Sequence, residues 1–104
     1  MSIHPFPITS EHTLAIIRQA VECGNVLIPN PPNGGEWYNL MSRRQVDLCL
    51  KAGDLVEEPR VDAHGHIRCV LERFGAGLAV RVHVALMKHE ESWGIVVIEV
   101  ENRL

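Results

Sequence analysis

Two runs of alternating apolar and polar residues predict a β-hairpin in the second half of the chain. The runs span residues 67–74 and 78–86, and a Gly-Ala-Gly sequence at residues 75–77 separates them. Alternation with a period of two is typical of strands that bury one face. The residues predicted for the buried face are Ile67, Cys69, Leu71, Val80, Val82 and Val84. The residues predicted for the opposite, polar face are Arg68, Glu72, Arg81 and His83.

Two segments in the first half of the chain have helical periodicity. Thr9 or Ser10 is a suitable N-cap for the first, while Ser42 and Gln45 form a capping box for the second. The glycines expected to end the two helices are Gly24 and Gly53. The apolar positions are Leu14, Ile17 and Val21 in the first helix and Val46, Cys49 and Leu50 in the second. The polar positions of the first helix, expected to face water, are Arg18, Gln19 and Glu22.

The segments between the helices and after the second helix predict edge strands. Residues 26–28 form a short apolar run that suits a sheet edge, and the proline-rich residues 29–36 predict a loop. Residues 55–61 have strand character but contain two glutamates and a proline, which suits an edge strand that resists pairing with other chains.

Turn residues set the expected pairing of the later strands. Residues 62–66 predict a turn with Gly65 in the left-handed conformation, which would place Val61 opposite Ile67 with both side chains facing the core.

The hairpin itself is expected to turn through Gly75 and Ala76, which would place Arg68 opposite His83. Residues 87–94 then predict a longer loop, and residues 95–100 predict the last strand.

Together these elements predict a single α+β domain over residues 1–104. Two helices are expected to pack on one face of a four- to five-stranded antiparallel sheet, in the order helix, short strand, helix, then β-meander. A chain of 104 residues with 46% hydrophobic residues can bury such a core without a metal or disulfide scaffold.

Composition narrows the classes of partner. The net charge of -3, with 10 scattered basic residues, disfavours a general nucleic-acid-binding protein, although RNA remains possible at a local patch. Three cysteines without a Cys-x-x-Cys spacing predict small buried hydrophobes in a reducing compartment. The absence of a signal-like start and of a long apolar run predicts a cytoplasmic protein that does not bind membranes.

The polar face of the hairpin is the candidate catalytic site. His83 beside Glu72, Arg68 and Arg81 is the set that metal-independent RNA cleavage uses, with a base for the 2′-hydroxyl and cations for the phosphate. Glu99 of the last strand is a further carboxylate for this site. The same residues also suit ordinary cross-strand ion pairs on a solvated sheet face.

Two other groups of residues suggest binding. His64 and His66 have the alternate spacing of a metal-ligand pair, with His83 or Glu72 as the third ligand, but turn histidines without a metal are the expected interpretation. No metal or other cofactor is therefore expected. Trp37 and Tyr38 would form either a partner-binding patch or a cover over the second helix.

The runs at residues 41–46, 49–53 and 82–85, with the turn at residues 62–65, resemble a bacterial domain-of-unknown-function family. That family is similar to the BrnT-like and RelE-like toxins of toxin–antitoxin pairs. The resemblance covers residues 14–100 and implies helices packed on an antiparallel sheet, with Arg43 or Arg44 standing for the family's arginine. Members carry a His-Ala and an Arg-Met pair before the second helix, where this chain has its proline-rich segment.

The preferred prediction is a binding module that docks a protein partner or a second copy of itself. The docking surfaces would be the polar sheet face or the edge strand, with partner-binding residues Arg43, Arg44, Trp37 and Tyr38. The alternatives are a metal-independent endoribonuclease of the toxin type and a histidine-based metal-binding protein.

Overall fold

The computed structural model describes residues 9–28, 43–75 and 77–102, which form two helices and six strands. The helices are α1 (Ser10–Glu22) and α2 (Arg43–Ala52). The strands are β1 (Val26–Leu27), β2 (Asp54–Leu55), β3 (Arg60–Val61), β4 (Ile67–Gly75), β5 (Leu78–His89) and β6 (Ser92–Asn102). The predicted α+β class and order of elements are confirmed. The predicted loop over residues 29–36 and the Ser42 cap lie outside the described residues.

The strands form one sheet in the order β1-β6-β5-β4-β2, and β3 lies beside β2 along the same edge of β4. The predicted edge strand over residues 55–61 is two short strands, which raises the strand number above the expected four or five. The described strand pairs are antiparallel except for β1, which runs parallel to β6. Neither described helix is long and apolar enough to cross a membrane.

Both helices pack on one face of the sheet, and the core lies between them. The helical contributions are Ile16, Ile17 and Ala20 from α1 and Val46, Cys49 and Leu50 from α2. All six residues predicted for the buried face of the hairpin belong to this core, with exposures of 0 to 7%. The alternation in the sequence therefore assigns the inner face of β4 and β5 correctly.

The turn between β4 and β5 is not where the sequence predicts it. Gly75 is the last residue of β4 and pairs with Leu78, and Gly77 lies in the turn between the two strands. The turn lies at this point because Gly77 adopts φ +78°, a backbone conformation that residues with a side chain disfavour. The register is shifted by two residues, so Arg68 lies opposite Ala85 instead of His83. An even shift keeps every side chain on its face, which is why the predicted faces hold although the pairs do not.

The predicted loop over residues 87–94 is also wrong, because β5 and β6 continue through it. The strands pair as far as His89 and Ser92, and Glu90 in the tight turn has φ +58°. Lys88 and Trp93 lie opposite each other in this extension, and the Lys88 ammonium lies 5.8 Å from the centre of the Trp93 ring. This cation–π contact stabilises the strand pairing here, which the charged residues of this segment make hard to predict from the sequence.

A β-bulge at Ile98 changes the alternation of β6. Val84 pairs with Val97 and His83 pairs with Glu99, so Ile98 is the extra residue. Val97 and Val100 consequently both face the core, at 1% and 5% exposure, despite their spacing of three. Beyond the bulge, the glutamates of β6 point away from the helices.

The turn before β4 matches its prediction in backbone but not in burial. Gly65 has φ +81° and Val61 lies opposite Ile67, as predicted. Val61 is nevertheless 39% exposed, because it lies on the outermost strand of the sheet.

Arg18 connects the two helices, although the sequence predicts that it faces water. Its Nη1 donates to the carbonyl oxygen of Leu50 at 2.6 Å and its Nη2 to that of Gly53 at 2.8 Å. These carbonyls lie at the C-terminal end of α2, where backbone acceptors lack helical partners and a cation is favourable. Gly53 is needed for the close packing at this end of the helix, since a Cβ there would lie 2.5 Å from the Cys49 carbonyl oxygen.

The cysteines divide into two classes. Cys49 and Cys69 are buried, and burial raises the pKa of Cys49 to about 11 and that of Cys69 to about 12, so both remain neutral thiols near neutral pH. Cys23 is exposed at the end of α1, so the prediction that all three cysteines are core residues is wrong for this one.

We expect Arg18→Met to lower the free energy of unfolding by about 1.5 to 3 kcal/mol, the usual contribution of hydrogen bonds from a charged group. Urea unfolding followed by circular dichroism measures this change. Arg44→Met is the matched control, because Arg44 is exposed on α2 and should change stability by no more than about 0.5 kcal/mol. Equal losses in both variants would contradict the role of Arg18.

Candidate functional site on the outer sheet face

The candidate catalytic residues lie on the outer face of the sheet, the side that points away from α1 and α2. Both described helices pack on the inner face, so neither covers this side. The residues that cross the outer face near its centre form two rows. We call them the ionic rows: Glu99, His83 and Val70 in one, and Glu101, Arg81, Glu72 and Asp54 in the other.

Arg81 and Glu72 form a cross-strand ion pair. Arg81 lies opposite Glu72, and its Nε and Nη2 donate to Glu72 Oε2 at 2.9 and 2.7 Å. Both side chains are largely buried for an outer face, at 26% and 13% exposure. The guanidinium is therefore engaged by a carboxylate in the folded protein, and this pair occupies two of the four candidate catalytic residues.

His83 pairs with a carboxylate that the sequence does not predict. Its Nε2 lies 2.5 Å from Glu101 Oε2, whereas the in-register residue Glu99 is exposed. An ionised carboxylate only accepts hydrogen bonds, so pairing with an ionised Glu101 requires the His83 tautomer that carries its proton on Nε2. The bulge at Ile98 turns Glu101 to the outer face. The signal that could have found it is the three-residue spacing of Val97 and Val100, which a regular strand cannot bury on one side.

Arg68, the fourth candidate, belongs to a different group. Its Nε donates to Asp62 Oδ2 at 2.9 Å, and Oδ1 of the same carboxylate accepts from the backbone N–H groups of His64 and His66 at 2.8 and 3.0 Å. The hydrogen bond from Arg68 lowers the pKa of Asp62 to about 2, and the two N–H groups act in the same direction. Asp62 thus holds the turn before β4, and Arg68 is its counterion.

The structure does not assemble the hypothetical metal site. The rings of His64 and His66 are 6.0 Å apart in the turn, and His83 is paired with Glu101. Over residues 9–28, 43–75 and 77–102, no three His, Cys, Asp or Glu side chains are placed to hold one metal ion.

The predicted partner-binding residues are only partly described. Arg44 is exposed in the first turn of α2, and Arg43 begins that helix. Trp37 and Tyr38 lie outside the described residues.

The electrostatic character of the ionic rows is acidic. Four carboxylates, those of Asp54, Glu72, Glu99 and Glu101, accompany a single guanidinium. A phosphate approaching His83 would meet this excess of negative charge at short range. The rows therefore suit a cationic group better than an anionic one.

An apolar patch adjoins the ionic rows at the β1 edge of the sheet. We call it the apolar corner: Leu27, Met87, Val96 and Ile98. Leu27 and Ile98 are 60% and 45% exposed, although both are large aliphatic side chains. Phe74, at the opposite corner of the outer face, is 74% exposed. Between these corners lie small side chains that are buried within the sheet surface, Val70, Ala79 and Ala85.

No protein-family model matches the chain, and no curated protein or solved structure matches it significantly. Function must therefore be inferred from the geometry of the outer face itself.

We expect the ion pair between Asp62 and Arg68 to make stability depend on acid pH. The pKa of Asp62 lies near 2 in the folded protein, below its ordinary value of 3.8, so its contribution is present above about pH 4 and disappears as the pH falls towards 2. Asp62→Asn should therefore be less stable than wild type at pH 6, with the difference shrinking towards pH 2.

Urea midpoints measured between pH 6 and pH 2 test this expectation. Asp54→Asn is the matched control, because it removes the same charge from an exposed residue of β2. A difference from wild type that stays constant for Asp62→Asn, or that shrinks equally for both variants, would contradict the assignment.

Proposed function

We propose that this protein is a binding module that docks another polypeptide onto the outer face of its sheet. The observation that carries the proposal is the exposure of large apolar side chains on a face that neither described helix covers. Leu27, Ile98 and Phe74 are the exposed anchors, at 60%, 45% and 74% exposure. Exposed apolar side chains grouped beside polar residues are typical of protein interaction sites.

The half-buried polar pairs support the same proposal. The pairs Arg81–Glu72 and His83–Glu101 fix four long side chains close to the sheet surface. Side chains that are already ordered lose less conformational entropy when a partner covers them. The pairs would then form a polar rim beside the apolar corner.

The face is a better docking surface than the sheet edge formed by β2 and β3. Each of these strands has two residues, and the segment between them contains Glu57, Glu58 and Pro59. Short strands, charges and proline are features that hinder the addition of a further strand. We therefore place the partner on the outer face.

A different protein is a better partner than a second copy. A second copy would bring the same acidic ionic rows to the interface, and like charges brought together across an interface are unfavourable. Dimerisation remains a distinct outcome that the experiment below can detect by mass.

Catalysis of RNA cleavage is less well supported by the geometry. The two arginines that would stabilise a phosphate are bound to Glu72 and Asp62, and Glu99 adds further negative charge beside His83. The resemblance to BrnT-like and RelE-like toxins stays a prediction, since no comparison supports it.

A photo-crosslinking experiment tests the proposal. Benzoyl-phenylalanine placed at Val96, on the outer face, should give a discrete cross-linked product when the tagged chain is expressed in its source organism. The matched control is the same probe at Gln19, which is exposed on α1 on the other side of the molecule. A product at twice the mass of the chain would identify a second copy.

Adding Leu27→Ser to the Val96 probe should reduce the yield of that product about tenfold, which corresponds to about 1.4 kcal/mol of lost apolar contact. Val61→Ser, which alters an exposed aliphatic residue on the inner side, should leave it unchanged. Absence of a product from the Val96 probe, or an equal product from the Gln19 probe, would refute docking on the outer face.

A further inference from the structure

A depression in the outer face lies beside the apolar corner. Gly94 of β6 supplies no side chain opposite Met87, and the resulting depression has a volume of about 420 Å³. Leu27 and Val96 line one side of it, and Met87 and His89 line the other. The size is within the range of pockets that accept an apolar group from a ligand or partner.

The floor of the depression is held by hydrogen bonds from the segment before β1. The Asn25 carbonyl oxygen accepts from the Ile95 N–H at 2.8 Å, and the Asn25 side-chain amide donates to the Trp93 carbonyl oxygen at 3.4 Å. These contacts tie both sides of Gly94 to the neighbouring segment. The depression is therefore formed before any partner arrives, which lowers the cost of binding.

Space above Gly94 is open, and its conformation does not require glycine. A Cβ built at Gly94 would approach the carbonyl oxygens of Asn25 and Met87 at 3.7 and 3.9 Å, which are ordinary contacts. Gly94 is not among the glycines with positive φ. The fold can thus accept a side chain at this position. The backbone conformation does not require the glycine that leaves this volume empty.

Acidic side chains flank the depression at both ends. Glu90 is exposed in the turn between β5 and β6, and Glu99 is exposed in the nearer ionic row beyond Val96. Glu91, the next residue of the turn, lines a separate cavity beside α1. The nearby cation Lys88 lies over the Trp93 ring instead of pairing with these carboxylates. The seven residues 92–98 of β6 separate the turn from Glu99, which corresponds to about 23 Å.

We propose that the depression receives one apolar side chain from a protein partner whose flanking residues are lysine or arginine. This inference rests on the proposed function and specifies the chemistry of the partner. An extended segment of about nine residues spans the distance between the two acidic ends. Its central apolar residue fills the space above Gly94, and its basic ends lie over the glutamates of the turn and of β6.

Three fluorescein-labelled peptides of about nine residues serve as probes, a length matched to the span. The first has two lysines at each end and leucine at its centre. The second replaces the lysines with glutamates, and the third keeps the lysines but replaces the apolar centre with serine and glycine. Fluorescence anisotropy should show binding of the first peptide, with affinity at least about tenfold higher than for either of the others. Its affinity should fall with added salt.

Two protein variants test the site itself. Gly94→Val fills the depression and should weaken binding of the first peptide about tenfold. Its control is Ala15→Val, which introduces the same valine side chain at an exposed position of α1. Glu90→Gln combined with Glu99→Gln should weaken binding and flatten its salt dependence, whereas Glu11→Gln combined with Glu22→Gln, an equal change in charge on α1, should not.

Equal binding of the lysine-ended and glutamate-ended peptides, or unchanged binding by Gly94→Val, would overturn the inference. If Gly94→Val loses its circular dichroism spectrum, Leu27→Ser replaces it, because Leu27 lines the depression from an exposed position. Failure of the peptides together with a cross-link from the Val96 probe would refute this partner chemistry but not docking on the outer face. Failure of both experiments would refute both proposals.

Discussion

Burial of one face of the β4–β5 hairpin beneath two helices is the constraint on which the rest of the structure depends. Val82 and Leu71 are fully buried opposite each other on this face, in the same core as Ile17 of α1 and Leu50 of α2. Because a strand alternates strictly, the same pairing directs the arginines and the histidine to the other side. Burial of the apolar residues in the core thus determines which residues lie on the outer face, and those residues determine its chemistry.

The bulge at Ile98 extends that constraint to the last strand. Without it, the two glutamates of β6 would point into the core and Val100 would point to water. With it, Val100 is buried and Glu101 reaches His83 on the outer face. One extra residue therefore satisfies the core and adds two glutamates to the ionic rows, and the proposed preference for a basic partner draws on that charge.

Short sequence patterns predict the features of this structure that are determined by residues close together in the chain. The alternation in residues 67–86, the left-handed Gly65 and the end of α2 at Gly53 are each encoded within a few residues, and each is confirmed. The contact from Arg18 to the end of α2 joins residues more than thirty positions apart, so helical periodicity alone places Arg18 in water.

The candidate site also has a part that the sequence predicts and a part that it does not. Glu72, Arg81 and His83 share a face because alternation places them there. The positions of Glu101 and of the depression at Gly94 depend on a bulge and on strand pairing that the charged residues of this segment make hard to predict.

The most direct test of the account is solution NMR of methyl groups with a soluble gadolinium chelate at dilute protein concentration. The account predicts strong relaxation enhancement for Leu27 and Ile98 and little for Ile17 and Leu50. Protection of Leu27 and Ile98 to the same degree as the core methyl groups would contradict the exposure that both side chains have on the outer face.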